Sequence, residues 1–158
     1  MRIELSRNMH TVIDPEDSQK VRELKWYCSA QGYAVRETRL QNGNRTSLYL
    51  HRFLLDLDPI DKLEVDHING DRLDNRKINL RVCNRAENSR NSKGKPRKYS
   101  KYKGVTCSGR RGKQWLAQIT KDHKKTFLGY YHTEEEAASA YDEAATKMFG
   151  KFAKLNNK

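Results

Sequence analysis

The sequence has little of what a membrane, secreted or disulfide-stapled protein needs. It contains no run of about 18 or more apolar residues, which excludes a helical membrane span. The opening residues Met1-Arg2-Ile3-Glu4-Leu5 lack the apolar stretch and small-residue cleavage site of a secretory signal. Cysteine is scarce: Cys28, Cys83 and Cys107 are odd in number, far apart, and form no Cys-x-x-Cys pair. That speaks against a disulfide framework and a structural zinc, and suits a reducing compartment, so the expected location is cytoplasmic. Hydrophobic residues are only 35% against 33% charged, so one large continuous core is out of reach. No repeat is present.

Positive charge is abundant. Lys and Arg number 32 against 20 Asp and Glu, a net of +12. Residues 1–60 hold nine basic and eight acidic side chains and residues 61–91 seven and six, whereas residues 92–158 hold sixteen and six. The last segment therefore carries +10 of the excess, and a polyanion, most simply nucleic acid, is its natural partner. Between Ser92 and Lys101 there are five basic residues, no acid, one Gly and one Pro, the composition of a tether that gains phosphate contacts when it lies on DNA.

Pattern and punctuation divide the chain into an N-terminal region (1–58), a central segment (59–92), the basic linker (93–101) and a C-terminal domain (102–158). In the first, Tyr33–Arg36 and Ser47–Leu50 read as two strands around the Asn42-Gly43 turn. Asp14-Pro15 opens a helix running towards Trp26, and His51–Leu55 is a short helix or strand. The central segment reads as strand (Leu63–Ile68), polar loop, strand (Ile78–Val82), and a helix capped by Asn84 and running through Asn91. In the last, three strands (Lys103–Thr106, Gln114–Thr120, Lys124–Tyr130) precede a helix with a full capping box at Thr133-Glu134-Glu135-Glu136. An apolar stripe of Ala137, Ala140, Tyr141, Ala144, Ala145 and Met148 should press that helix against the sheet.

The central segment carries the chemistry. Asp66-His67 is followed twelve residues beyond His67 by Asn79 and nine further on by Asn88. Hydrolysing a phosphodiester needs a base for the attacking water and a cation for charge on the phosphate and the departing oxygen. A neutral histidine, with an ordinary pKa of about 6.5, suits the first task. A carboxylate with an amide oxygen makes a hard, oxygen-only partial shell for Mg²⁺, with Mn²⁺ as the second choice. Adjacent strand residues face opposite sides, so Asp66 and His67 can share a site only where the strand ends or twists, as Asn69-Gly70 invites.

Asp66-His67-Ile68-Asn69-Gly70-Asp71, Leu73-Asp74-Asn75, Ile78-Asn79-Leu80-Arg81 and Asn84-Arg85-Ala86-Glu87-Asn88-Ser89-Arg90-Asn91 together resemble the HNH nuclease family, in its phage and intron homing-endonuclease branch, with Asn in place of the last His. The resemblance covers roughly residues 48–92. It implies an α+β protein with a ββα-metal core in which His67 is the general base, Asp66 and Asn88 bind one divalent metal, and Asn79 holds the loop and orients His67. Tyr49-Leu50-His51-Arg52 resembles the segment preceding that motif, which suggests a phosphate contact by Arg52 or His51. Residues 1–45 are expected to form a strand-rich scaffold.

Tyr102-Lys103-Gly104-Val105, Trp115–Ile119, Leu128-Gly129-Tyr130-Tyr131, Thr133–Ala138, Ala140–Ala145 and Gly150–Asn156 resemble the DNA-binding domain of plant ethylene-response factors. That implies a three-stranded antiparallel sheet backed by one helix, the sheet entering the major groove. Alternation sends Trp115, Ala117 and Ile119 towards the helix and Gln114, Leu116, Gln118 and Thr120 outwards. Matching to the family's DNA-facing positions selects Lys103, Thr106, Ser108, Arg110, Gln118, Thr120 and Lys125, with Arg111 as a further base or phosphate contact. The expectation is a site-specific, metal-dependent DNA endonuclease acting on double-stranded DNA, a monomer that nicks one strand per site or a dimer on DNA. The alternative is a catalytically silent DNA-binding regulator that retains the frame.

Overall fold

The computed structural model describes residues 1–58, 60–91, 100–110 and 113–157. They form mixed α and β structure with four small antiparallel sheets. The chain divides into two compact units, 1–88 and 89–158. No helix among the described residues is long and apolar enough to cross a membrane.

The N-terminal unit begins with a two-stranded ribbon, β1 (Arg2–Glu4) and β2 (His10–Val12). A 3-10 turn at Pro15–Asp17 leads into α1 (Ser18–Arg22). This helix is shorter than the sequence pattern predicts: it ends at Arg22, and the Trp26 indole N–H, four residues on, donates to the Val21 carbonyl at 3.1 Å. β3 (Tyr27–Cys28), β4 (Ala34–Arg39) and β5 (Arg45–Tyr49) form a sheet in that order. The hairpin between β4 and β5 turns through Gly43, whose φ of +82° is the left-handed geometry the Asn-Gly signal foretells. Leu5, Ile13, Val21, Trp26, Cys28, Ala34, Leu50 and Leu54 make the core. Each fully buried aliphatic among them contributes roughly 1.5–3 kcal/mol.

α2 (Leu50–Leu54) follows β5 without a loop and buries both His51 and Arg52. β6 (Glu64–His67) and β7 (Leu80–Cys83) pair with His67 opposite Leu80 and Asp66 opposite Arg81. α3 (Arg85–Asn91) follows. Its cap is reciprocal: the Glu87 N–H donates to Asn84 Oδ1 and the Asn84 N–H to Glu87 Oε2, both at 2.9 Å. The N-terminal residues and the central motif belong to one unit because β2 zips onto the loop between β6 and β7. The Val12 N–H donates to the Leu73 carbonyl (2.8 Å), the Asn75 N–H to the Val12 carbonyl (2.7 Å), and Val12 and Asp74 form a parallel bridge.

In the C-terminal unit β8 (Val105–Arg110), β9 (Lys113–Lys121) and β10 (Lys124–Tyr131) form an antiparallel sheet in sequence order, and α4 (Glu134–Phe149) packs on it. The Thr133 hydroxyl accepts from the Glu136 N–H and the Glu136 carboxylate from the Thr133 N–H, closing the capping box. Val105, Ala117 and Ile119 meet Ala137, Ala138, Tyr141 and Ala145, so small residues let helix and sheet approach closely. The tail is pinned back: Asn156 exchanges side-chain hydrogen bonds with both backbone groups of Lys103, and its N–H donates to Asp142. The basic linker expected at 93–101 lies, except for its last two residues, outside the described residues.

Candidate active site

β6 ends at His67 and pairs in regular register with β7 through both Asp66 and His67, so strand alternation gives the two neighbours different surroundings. The Gly70 N–H, at a residue with φ of +80°, donates to the His67 carbonyl at 2.8 Å. Asp66 is 5% exposed and accepts on Oδ2 from Arg81 Nε (2.8 Å) and Nη2 (2.5 Å). His67, also 5% exposed, turns its Nε2 to Asn75 Oδ1 at 3.3 Å. The His51 ring stands edge-on to it at 5.1 Å between centroids, with the Tyr33 ring at 6.1 Å.

Burial pushes the His67 pKa below its ordinary value, against the Asn75 hydrogen bond and the negative charges of Asp66, Asp71 and Asp74, which pull it up. Desolvation wins, so the ring is neutral at physiological pH. For His51, burial, with smaller contributions from His67 and Arg52, takes the imidazole from 6.5 down to about 3. The unfolded chain then binds more protons than the folded one between those values, so stability rises with pH there and is lost as pH falls below 6.5. At about 1.4 kcal/mol per unit, acidification to pH 4.5 removes roughly 3 kcal/mol through this group. Melting curves between pH 7.5 and 4.5 are expected to show that loss, and His51→Asn to flatten it; an unchanged slope in the variant contradicts the assignment.

Asn79 ties the two ends of the loop together. Its Oδ1 accepts from the Asn69 N–H (3.0 Å), its Nδ2 donates to the Asp74 carbonyl (2.8 Å), and its own carbonyl accepts from the Ile68 N–H (2.9 Å). Asn75, four residues before Asn79, is a side chain hydrogen-bonded to His67. Asp74 braces the same loop, accepting from Asn69 and, bidentately at 2.7 Å, from Arg76. That Arg76 hydrogen bond is the main cause holding the Asp74 carboxyl below its ordinary range.

Asn88, on α3, donates its Nδ2 to Glu64 Oε2 at 2.6 Å. Glu64 lies two residues before Asp66 on β6, so both project from the same face of the strand. A carboxylate only accepts, so the amide nitrogen is the atom on Glu64 and the amide oxygen is turned away from it. The oxygen groups a metal could draw on here are the carboxylates of Asp66 and Glu64 and the amide oxygen of Asn88, hard donors of the type Mg²⁺ takes. Among the described residues there is no group of three or more His, Cys, Asp or Glu able to hold a metal, so water and substrate oxygens must complete any shell.

Arg52 sits differently from the phosphate contact expected of it. It is 9% exposed, and its guanidinium donates to the carbonyls of Leu63 (2.6 Å), Asp61 (3.3 Å) and Asp58. It clamps the segment leading into β6, with both terminal nitrogens committed to backbone. His51, the other candidate of that pair, is buried against His67.

In the C-terminal unit the register sorts the expected DNA-facing residues. Gln118 pairs with Phe127, Thr120 with Lys125, and Thr106 and Tyr130 both with Leu116, all on the face away from α4. Thr120 and Lys125 are exposed and Gln118 half-buried. Phe127, 57% exposed and 5.0 Å from the Tyr130 ring, adds an apolar pair to that face; its place opposite Gln118 was the signal that alternation offered. Lys103 is partly buried, its ammonium donating to the Arg90 carbonyl at 2.6 Å, and burial lowers its pKa. The Arg110 side chain and all of Arg111 lie outside the described residues.

The sequence profile of the HNH endonuclease family matches residues 58–90, the stretch from just before β6 into α3. An uncharacterised HNH endonuclease of Acanthamoeba polyphaga mimivirus is 31% identical over 140 residues, covering 86% of this chain and 68% of the viral protein. The chain belongs to the HNH endonuclease family. A shorter stretch is similar to plant proteins: 46% identity over 61 residues to an AP2/ERF and B3 domain-containing transcription repressor of Arabidopsis thaliana, and 47% over 45 residues to dehydration-responsive element-binding protein 2A of the same plant. Those matches cover 37% and 27% of this chain, and the chain spans only 16% and 13% of the two plant proteins.

Proposed function

We propose that the chain is a metal-dependent, site-specific endonuclease of double-stranded DNA, cutting with its N-terminal unit and gripping with its C-terminal sheet. The observation that carries this reading is His67: buried, kept neutral by desolvation, and held at the end of β6 next to a carboxylate. In that state it takes a proton from a water aligned with the scissile phosphate. Asp66 and Asn88 would hold one divalent cation, Mg²⁺ or Mn²⁺, which supplies positive charge for the phosphate and the departing 3′ oxygen. Asn79 keeps the loop closed around the base. Glu64 keeps the Asn88 amide oxygen directed away from itself, and Arg81 orients the Asp66 carboxylate.

Gln118, Thr120 and Lys125, on the outer face of β9 and β10, face the major groove in this reading, and the +10 charge of residues 92–158 supplies phosphate affinity. One such site per chain nicks one strand. The test is conversion of supercoiled plasmid to open circles in Mg²⁺. The reading predicts conversion that EDTA abolishes; tight duplex binding with no conversion under either condition supports the silent regulator instead.

A further inference from the structure

We propose that Thr11 and Asn75 are positioning residues that hold His67 in the tautomer with its proton on Nε2, so that the basic lone pair lies on Nδ1. The inference rests on reading His67 as the general base, and it assigns a task to the N-terminal ribbon, far upstream of the HNH motif.

The hydrogen-bond roles follow by elimination. Thr11 Oγ1 lies 2.8 Å from the Leu73 carbonyl, which can only accept, so the threonine proton goes there. Asn75 Nδ2 lies 2.8 Å from Thr11 Oγ1 and 3.4 Å from the Arg72 carbonyl. With its proton directed to Leu73, the Thr11 oxygen accepts, and the Arg72 carbonyl accepts as well. The amide atom facing both must therefore be nitrogen. That leaves Asn75 Oδ1, an acceptor, 3.3 Å from His67 Nε2, and the ring must donate from that nitrogen.

Both relay members are sealed from water, Thr11 at 0% and Asn75 at 1% exposure, so no solvent molecule substitutes for a lost partner. The backbone around them is fixed too. Val12 pairs with Leu73 and Asn75, and the Lys77 N–H donates to Asp14 Oδ2 at 2.7 Å. β2 thus presents the threonine to the catalytic loop in one geometry. Removing its hydroxyl leaves only the longer 3.4 Å contact to the Arg72 carbonyl to orient the Asn75 amide, and an amide that turns over presents a nitrogen to Nε2 and favours the opposite tautomer.

The experiment reads ring ¹⁵N shifts in the full-length protein labelled on its five histidines, with His67→Asn identifying the His67 signals. In the parent, Nε2 is expected to carry the protonated-type shift and Nδ1 the lone-pair type. The reverse assignment overturns the proposal without any variant. Thr11→Val, nearly equal in volume, is expected to move the two shifts towards each other or exchange them and to slow nicking by roughly 10–100-fold, the usual loss when a histidine's orienting partner is removed; Thr11→Ser is expected to restore both. A parent-like tautomer in folded Thr11→Val overturns the proposal. A moved tautomer with unchanged nicking upholds the positioning role and overturns the reading of His67 as the base, so the two ideas fail separately.

Discussion

His67→Ala is expected to slow metal-dependent nicking by about 10²–10⁴-fold, the range a general base supplies, while duplex affinity stays within about twofold. Affinity should hold because the excess positive charge belongs to residues 92–158, whereas His67 is buried among His51, Tyr33 and Asn75 in the N-terminal unit. The substitution leaves a small cavity at the end of β6. His67→Asn, which keeps some of the volume and a polar tip, is therefore the companion variant and should be equally slow. Single-turnover nicking with protein in excess separates the chemical step from binding. If either variant nicks within about threefold of the parent, the base is another group.

The second large effect is expected from Gly104→Ala. Gly104 has φ of +78°, and a Cβ there would lie 2.0 Å from Cδ2 and 2.4 Å from Cε2 of Tyr141 and 2.7 Å from the Gln118 carbonyl oxygen. Tyr141 is itself 4% exposed in the seam between sheet and helix, so its ring has nowhere to retreat. Overpacking and left-handed strain together cost roughly 3–5 kcal/mol, against a domain stability on the order of 5–15 kcal/mol. The C-terminal unit should melt at least about 12 °C lower and DNA affinity should fall with it, while the N-terminal unit keeps its melting transition. Gly109→Ala is the control: φ there is +67°, but among the described residues a Cβ would meet nothing within 4 Å, so the backbone strain is the main cost. Equal melting of the Gly104→Ala protein and the parent contradicts this packing.

Local signals in the sequence account for most of the elements. The reciprocal caps at Asn84 and Thr133, the Asn42-Gly43 hairpin, and the alternation that puts Ala117 inward and Gln118 outward are written in residues within a few positions of one another. The α1 pattern misleads because burying Trp26 against Val21 outweighs the continuation of a short helix.

The interior of the site was far less legible. Thr11 and Asn75 are separated by 64 residues, and nothing in either neighbourhood marks a buried relay. The Glu64–Asn88 bond depends on how α3 lies against β6, and the Arg81–Asp66 pair on the β6–β7 register. Arg52 looks like a phosphate ligand in sequence because its charge is visible there, but the three carbonyls that absorb it, at Asp58, Asp61 and Leu63, are not. Spacing singles out the candidate residues; long-range contacts determine how each group is held.

The most direct measurement is to capture and sequence the DNA ends that the full-length protein generates from a library of duplexes, in Mg²⁺ and in EDTA. The account predicts ends bearing 5′-phosphate and 3′-hydroxyl groups, clustered at a small set of positions and present only with the metal. Duplex binding with no ends above the EDTA background would contradict it.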